Sequence, residues 1–230
     1  MNKSKSTHAF LSIDEDYKKT IAESSYIGKK GYTISKSNLS EKDLQFLYKD
    51  LFLKPLIIGV NYGQDEANSF PVYRENNNKI YLPRFYGIQR YGLPLRNNLS
   101  EGTTINVHFA KTLRDYQEKI VDIYLKHVDS SVSNNEDSIR GNGAILEVPC
   151  GFGKTIMALN IISKLKKKTL IIVHKEFLMN QLIDRINEFL PGARIGKIQG
   201  QVFDIEDKDI VIGMIQTMYD RNYEDSTFSS

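Results

Sequence analysis

The sequence predicts an α/β fold: an incomplete parallel-sheet domain in the second half of the chain, with a small α+β domain ahead of it. Three observations carry this. A short apolar run, Ala144-Ile145-Leu146, leads through Val148-Pro149-Cys150-Gly151-Phe152-Gly153-Lys154-Thr155 into an apolar-periodic segment ending at Leu165, which reads as strand, glycine loop, helix. The apolar run Thr169-Leu170-Ile171-Ile172-Val173, expected as a strand buried on both faces, a helical pattern from Met179 to Leu190, a short strand over 194–198 and a further apolar strand from Asp209 continue the alternation, and alternating strands and helices argue for a parallel sheet. Before residue 107 the signals are one helix start, a short strand at 32–34 and two strands around a polar turn.

Composition narrows the function classes. Hydrophobic residues are 40% and charged residues 26% of the chain, ordinary for a soluble globular protein. The net charge of +3 permits nucleic-acid binding without arguing for it, since an electrostatic footprint needs clustered charge. Cys150 is the single cysteine, so no internal disulfide can form and an intracellular, reducing compartment is expected. The first residues, Met1-Asn2-Lys3-Ser4-Lys5, are polar, unlike a signal peptide. No run approaches the ~18 apolar residues of a membrane span, so no membrane partner is expected. The four histidines, His8, His108, His127 and His174, are scattered, and no protein metal site is visible at zinc spacing.

Three segments follow in order. Residues 1–27 read as a polar tail holding at most a short helix. Residues 28–106 read as the small α+β domain. In it Tyr32-Thr33-Ile34 is a strand, and Ser40-Glu41-Lys42-Asp43 opens a helix with a side-chain acceptor at the cap and an acid three residues on. Pro55 stops that helix, and strands at 70–74 and 79–82 flank the turn Glu75-Asn76-Asn77-Asn78. Its segment Tyr81-Leu82-Pro83-Arg84-Phe85-Tyr86-Gly87-Ile88-Gln89-Arg90-Tyr91-Gly92 alternates arginines with aromatics. Either Arg84, Arg90 and the later Arg96 track a nucleic-acid backbone beside stacking rings, or the rings pack inward and the arginines stay outside. Residues 107–230 form the parallel-sheet domain, interrupted by a polar loop from Asp129 to Asn142.

The glycine stretch carries the chemistry. Backbone N–H groups from Gly151 to Thr155, with Cys150 and Phe152 in the loop, stand at the first turn of a helix, where donors have no partner in the helix and the dipole is positive. Glycines let the backbone approach a phosphate closely. Lys154 would reach the β- and γ-phosphates of ATP, and the Thr155 hydroxyl would bind Mg²⁺. The strict phosphate-loop pattern wants glycine where Val148 stands; the competing reading is an αβ turn with a chance Gly-Lys-Thr.

That departure is itself characteristic. Val148-Pro149 ahead of the loop resembles superfamily 2 helicases, which carry a small or apolar residue there followed by proline. Leu113-Arg114-Asp115-Tyr116-Gln117 resembles the Leu-Arg-x-Tyr-Gln element of the transcription-factor and restriction-enzyme branch, including helicases of large DNA viruses. That resemblance implies a RecA-like fold, ATP with Mg²⁺, and an adenine contact at Gln117, whose carboxamide matches the donor and acceptor edge of adenine; Arg114 would pack or touch ribose nearby. Val173 followed by Lys175-Glu176-Phe177-Leu178 and Gln181 resembles the family element that contacts the nucleic-acid backbone, as does the strand leading to Gln216 and Thr217. Lys175, Gln216 and Thr217 are therefore expected on DNA or RNA.

The resemblance also implies parts not found within these residues: a strand ending in Asp-Glu-x-His or Asp-Glu-x-Asp (the Walker B segment), and a second RecA-like domain with its arginine finger. The expectation is an N-terminal portion of a longer enzyme that binds ATP without turnover by itself, completed in cis or by another chain. A P-loop phosphotransferase and a non-hydrolysing ATP-binding adaptor are the alternatives.

Overall fold

The structure, a computed structural model, describes residues 13–53, 69–100, 102–129 and 143–220. Contacts divide it into two compact units, one of described residues up to Leu99 and one of those beyond.

In the first unit, α1 (Glu15–Ser24) starts where the Asp14 carboxylate accepts the N–H groups of Asp16 and Tyr17 at 3.1 and 3.3 Å, satisfying donors the helix leaves over. It buries Ile21 completely, so this stretch, read from sequence as part of a tail, belongs to a core. The hairpin β1 (Tyr26–Gly28) and β2 (Gly31–Ser35) follows. Then α2 (Glu41–Asp50) is capped by Ser40 Oγ, which accepts from Asp43 N–H at 3.2 Å. Next come β3 (Phe52–Leu53) paired with β4 (Phe70–Pro71), then β5 (Arg74–Glu75) and β6 (Lys79–Leu82), joined by a turn in which Asn76 Oδ1 accepts from Asn78 and Lys79 N–H. Last are α3 (Arg84–Tyr91) and β7 (Arg96–Asn97). Among the described residues the sheet runs β5-β6-β2-β1-β7. Ile27, Tyr32, Ile34, Ile80 and Leu82 point from one face into a core with Ile21, Leu47 and Tyr91. Fully burying each such aliphatic side chain stabilises by about 1.5–3 kcal/mol.

The arginine–aromatic segment is not an exposed strip. After Pro83 it winds into α3, and Arg90 turns inward with its side chain fully buried. Arg90 Nη2 donates to Asp43, which also accepts from Tyr91 OH at 2.7 Å and Tyr17 OH at 3.2 Å. Burial opposes the Arg90 charge, but Asp43 and Tyr91 outweigh it and hold the guanidinium protonated beyond its usual range. Burial, then the hydrogen bond to Asp43, pushes the Tyr91 phenol well up. Arg90 is thus a core ion pair and not a strand contact. Arg84 is half-buried at the start of α3, and burial lowers its pKa. Arg96 is exposed on β7.

The second unit begins with an extended segment whose Ile105, Val107 and Phe109 are buried alternately. It is tied by Ile105 N–H to Lys166 O and by Ala110 N–H to Phe189 O. Then come α4 (Asp115–Asp129), α5 (Lys154–Leu165), β8 (Thr169–Val173), α6 (Glu176–Phe189), β9 (Ile195–Gln199), β10 (Val202–Phe203), β11 (Ile210–Met214) and α7 (Ile215–Asp220). The sheet order is β10-β9-β11-β8, with β11 parallel to both β9 and β8. β11 is buried over Ile210–Gly213. β8, expected to be covered on both faces, leaves Leu170 and Ile172, two residues apart on one face, exposed at 41% and 54%, so among the described residues little packs on that face. The segment 144–146, expected as a strand, makes no ladder. Leu146 and Val148 pack on Val121, Met157 and Ile161, while Ile145 is 94% exposed. A strand requires a neighbour for its backbone groups, and no described strand lies alongside. Most of the polar loop 129–142 falls outside the described residues.

Asp209 fixes the start of β11. It accepts from Arg194 N–H at 2.8 Å, Nε at 3.1 Å and Nη2 at 2.7 Å, and these hydrogen bonds hold its carboxyl below the usual range. A carboxylate with a depressed folded pKa contributes stability that is fully present above its unfolded pKa, about 3.9, and lost as pH falls through the folded value. Asp209→Asn is expected to cost about 1–3 kcal/mol near neutral pH. Urea melts repeated at decreasing pH should show parent and variant converging below about pH 4; a gap that stays constant down to the acid limit would contradict this assignment.

Candidate functional site

The glycine stretch forms a tight turn heading α5. Gly151 and Gly153 both have φ of +82°, a region that L-residues with a Cβ avoid. The first helical hydrogen bond of α5 is Met157 N–H to Gly153 O at 3.0 Å, so the N–H groups of Lys154, Thr155 and Ile156 precede the ladder. Lys154 folds back, Nζ donating to Pro149 O at 3.1 Å across the mouth of the turn. Thr155 is half-buried in the first helical turn, and Cys150 is an exposed free thiol on the turn.

Gln117, on the first turn of α4, is 4% exposed and locks to this loop. Its Oε1 accepts from Arg114 N–H at 3.0 Å, and its Nε2 donates to Phe152 O at 3.0 Å. A Cβ on Gly153 would fall 2.4 Å from that Nε2. One N–H and one lone pair of the carboxamide remain for a ligand edge. Arg114 is exposed, with Nη1 3.4 Å from Tyr116 OH. Tyr116 itself was missed from sequence: its ring sits 5.3 Å from that of Phe152, and its OH lies 3.4 Å from Phe152 O. The signal available was its place between Arg114 and Gln117 in one helical turn.

The chemistry of this set suits a polyphosphate. It offers backbone donors without helix partners, an ammonium beside them, and an aliphatic hydroxyl one residue on. Such groups orient and neutralise phosphate oxygens; the Thr155 hydroxyl is an oxygen of the type that hard divalent cations accept as a ligand.

The candidate strand contacts lie at the carboxyl ends of the parallel strands, where open α/β sheets place ligands. Lys175 is exposed as the extended residue before α6. Gln216 Nε2 donates to His174 O at 3.0 Å, tying the end of β11 to the end of β8. Thr217 Oγ1 accepts from Gly200 N–H at 3.0 Å, tying α7 to the β9–β10 turn. Gln216 thus lies beside the end of β8 that leads into Lys175, while Thr217 is held at the β9–β10 turn. Arg84 and Arg90 belong to the first unit.

An α/β domain with a glycine turn at a helix start, held to a glutamine on the preceding helix, is the class these features define. The family described as "Type III restriction enzyme, res subunit" matches residues 110–230, more than half of the chain. The chain belongs to that family, among the superfamily 2 helicases, and is an ATP-binding part of such a protein. It is 31% identical over 202 residues to "Putative ATP-dependent RNA helicase L396" of Acanthamoeba polyphaga mimivirus, covering 86% of this chain and 37% of that protein. "Putative helicase 109L" of Invertebrate iridescent virus 3 is 30% identical over 66% of this chain and 46% of its own length. "Putative ATP-dependent helicase IRC3" of Saccharomyces cerevisiae is 26% identical over 52% of this chain and 18% of its own length. The chain thus spans less than half of each relative. Among the described residues no helix is long and apolar enough to cross a membrane.

Proposed function

We propose that this chain is the ATP-binding N-terminal portion of an ATP-dependent nucleic-acid helicase or translocase. Residues 107–230 would form part of a RecA-like domain, and residues 28–106 a separate small domain. The observation that supports it most is the turn Pro149–Gly153 heading α5, closed by Lys154 and locked to Gln117, inside the span shared with the family. In this reading the turn is a P-loop (Walker A) that wraps the phosphates of ATP. Lys154 carries phosphate charge, Thr155 holds Mg²⁺ with it, and Gln117 reads adenine beside Arg114. Lys175, Gln216 and Thr217 grip the backbone of DNA or RNA at the strand ends. A Walker B segment and a second RecA-like domain, in cis or from another chain, would supply the remaining groups for hydrolysis. The protein would act inside the cell.

Lys154→Ala is the direct test. Removing one charge-assisted contact worth about 1.5–3 kcal/mol should weaken binding of a fluorescent ATP analogue with Mg²⁺ by about 10- to 100-fold, with an unchanged circular-dichroism melt. Equal affinity in parent and variant would defeat the reading.

A further inference from the structure

The outer face of the five-stranded sheet in the first unit carries a row of side chains with no role in the site above. Strand register places Arg74 opposite Tyr81, Tyr81 opposite Thr33, Thr33 opposite Tyr26, and Tyr26 opposite Arg96. Because side chains alternate along a strand, their neighbours Ile80, Ile34 and Ile27 point the other way, into the core. The row reads Arg-Tyr-Thr-Tyr-Arg across the whole sheet. Its ends are exposed, its tyrosines are half-buried, and Thr33, 2% exposed, is the floor between them.

The tyrosines are dressed with cations. Lys79 Nζ lies 5.3 Å and Arg96 Cζ 5.9 Å from the centre of the Tyr26 ring, and Lys30 Nζ lies 5.4 Å from that of Tyr81. The Tyr26 ring leans back along its own strand over Gly28, where a Cβ would stand 3.1 Å from Cε2. The row holds no carboxylate. Glu75, beside Arg74, faces the helical side, where it meets Lys36 and Tyr48 OH, each at 2.7 Å.

We propose that this face binds single-stranded nucleic acid, with bases stacked on Tyr26 and Tyr81 and phosphates carried by Arg74, Lys79 and Arg96. Flat aromatic faces between cations serve a ligand that has both rings and phosphates; a plain polyanion would use the cations and gain nothing from the rings. Tyr26 and Tyr81 stand two strands apart, about 10 Å. That exceeds the 3.4 Å spacing of stacked bases in a duplex strand, so the platform selects a splayed single strand. The face lies wholly within the first unit, and its proposal does not rest on the nucleotide reading of the glycine turn.

The sequence has no tryptophan, so a Tyr26→Trp variant of the full chain reports stacking directly. Titration with oligo-uridine or oligo-thymidine should quench its fluorescence saturably, and Lys154→Ala added to it should leave the quench unchanged. By anisotropy with the same labelled strands, Tyr26→Leu and Tyr81→Leu should each weaken binding about 5- to 100-fold, while Tyr26→Phe binds like the parent. Arg74→Ala and Arg96→Ala should each lower the salt slope by about one. An abasic strand with the same phosphates should bind the parent several-fold more weakly than the intact strand. Absence of quenching, equal binding of abasic strand or heparin, or Leu variants that melt and bind like the parent would each overturn the proposal.

Discussion

Arg90→Ala is expected to destabilise the first unit by about 3–5 kcal/mol. The substitution removes the guanidinium that faces Asp43 and leaves that carboxylate, 2% exposed, with only the hydroxyls of Tyr91 and Tyr17. It also removes the cation 4.2 Å from the Phe46 ring centre and opens space beside α2. Against a typical domain stability of 5–15 kcal/mol, the loss is large enough to shift the urea midpoint of the whole unit. Asp43→Ala should cost about as much, for the mirror reason that it removes the carboxylate facing the buried Arg90 guanidinium. The double change Asp43→Leu with Arg90→Met should recover a large share, since a buried pair contributes less than the penalty for breaking it. If Arg90→Ala shifted the melt by less than about 0.5 kcal/mol, the value typical of surface positions, the buried pair would be misplaced.

Gly153→Ala is expected to have the second largest effect, and to act on nucleotide binding. Two costs combine. Alanine in the left-handed region costs roughly 1–2 kcal/mol. The new Cβ would fall 2.4 Å from Gln117 Nε2, so the carboxamide must leave Phe152 O, at about 1 kcal/mol for the lost hydrogen bond. Gly151→Ala isolates the first cost: it has the same φ of +82° but nothing within 4 Å of its Cβ. Titrations with a fluorescent ATP analogue should rank parent, Gly151→Ala and Gly153→Ala in falling affinity, with the last weaker than the parent by at least about tenfold. Equal losses in the two alanine variants would mean that the Gln117 contact does not shape the loop.

What was legible in the sequence was what neighbours in the chain decide together. The turn at 149–153, the helix after it, the Ser40 cap and the hairpin around Asn76 are each set within a few residues by local donors, acceptors and backbone freedom. The arginine–aromatic segment was not legible, because alternation of residue types does not say which way a helix turns them. Arg90 is drawn inward by Asp43, 47 positions earlier in the chain. The burial of β8 was misjudged for a related reason. An apolar run fits a covered strand, but each face of a sheet is covered only by what packs on it, which the run itself does not encode. The row from Arg74 to Arg96 was invisible for the strongest version of this reason. Its members come from five strands, and register alone aligns them.

The bond from Lys154 Nζ to Pro149 O gives the ammonium a resting partner. A phosphate arriving there replaces a carbonyl in an exchange, so only the difference between the two partners drives binding. An anion too weak to outcompete the loop's own carbonyl leaves the lysine where it is. If the turn holds phosphate as proposed, this exchange would set a threshold of charge density at its mouth, and weak anions would be refused there.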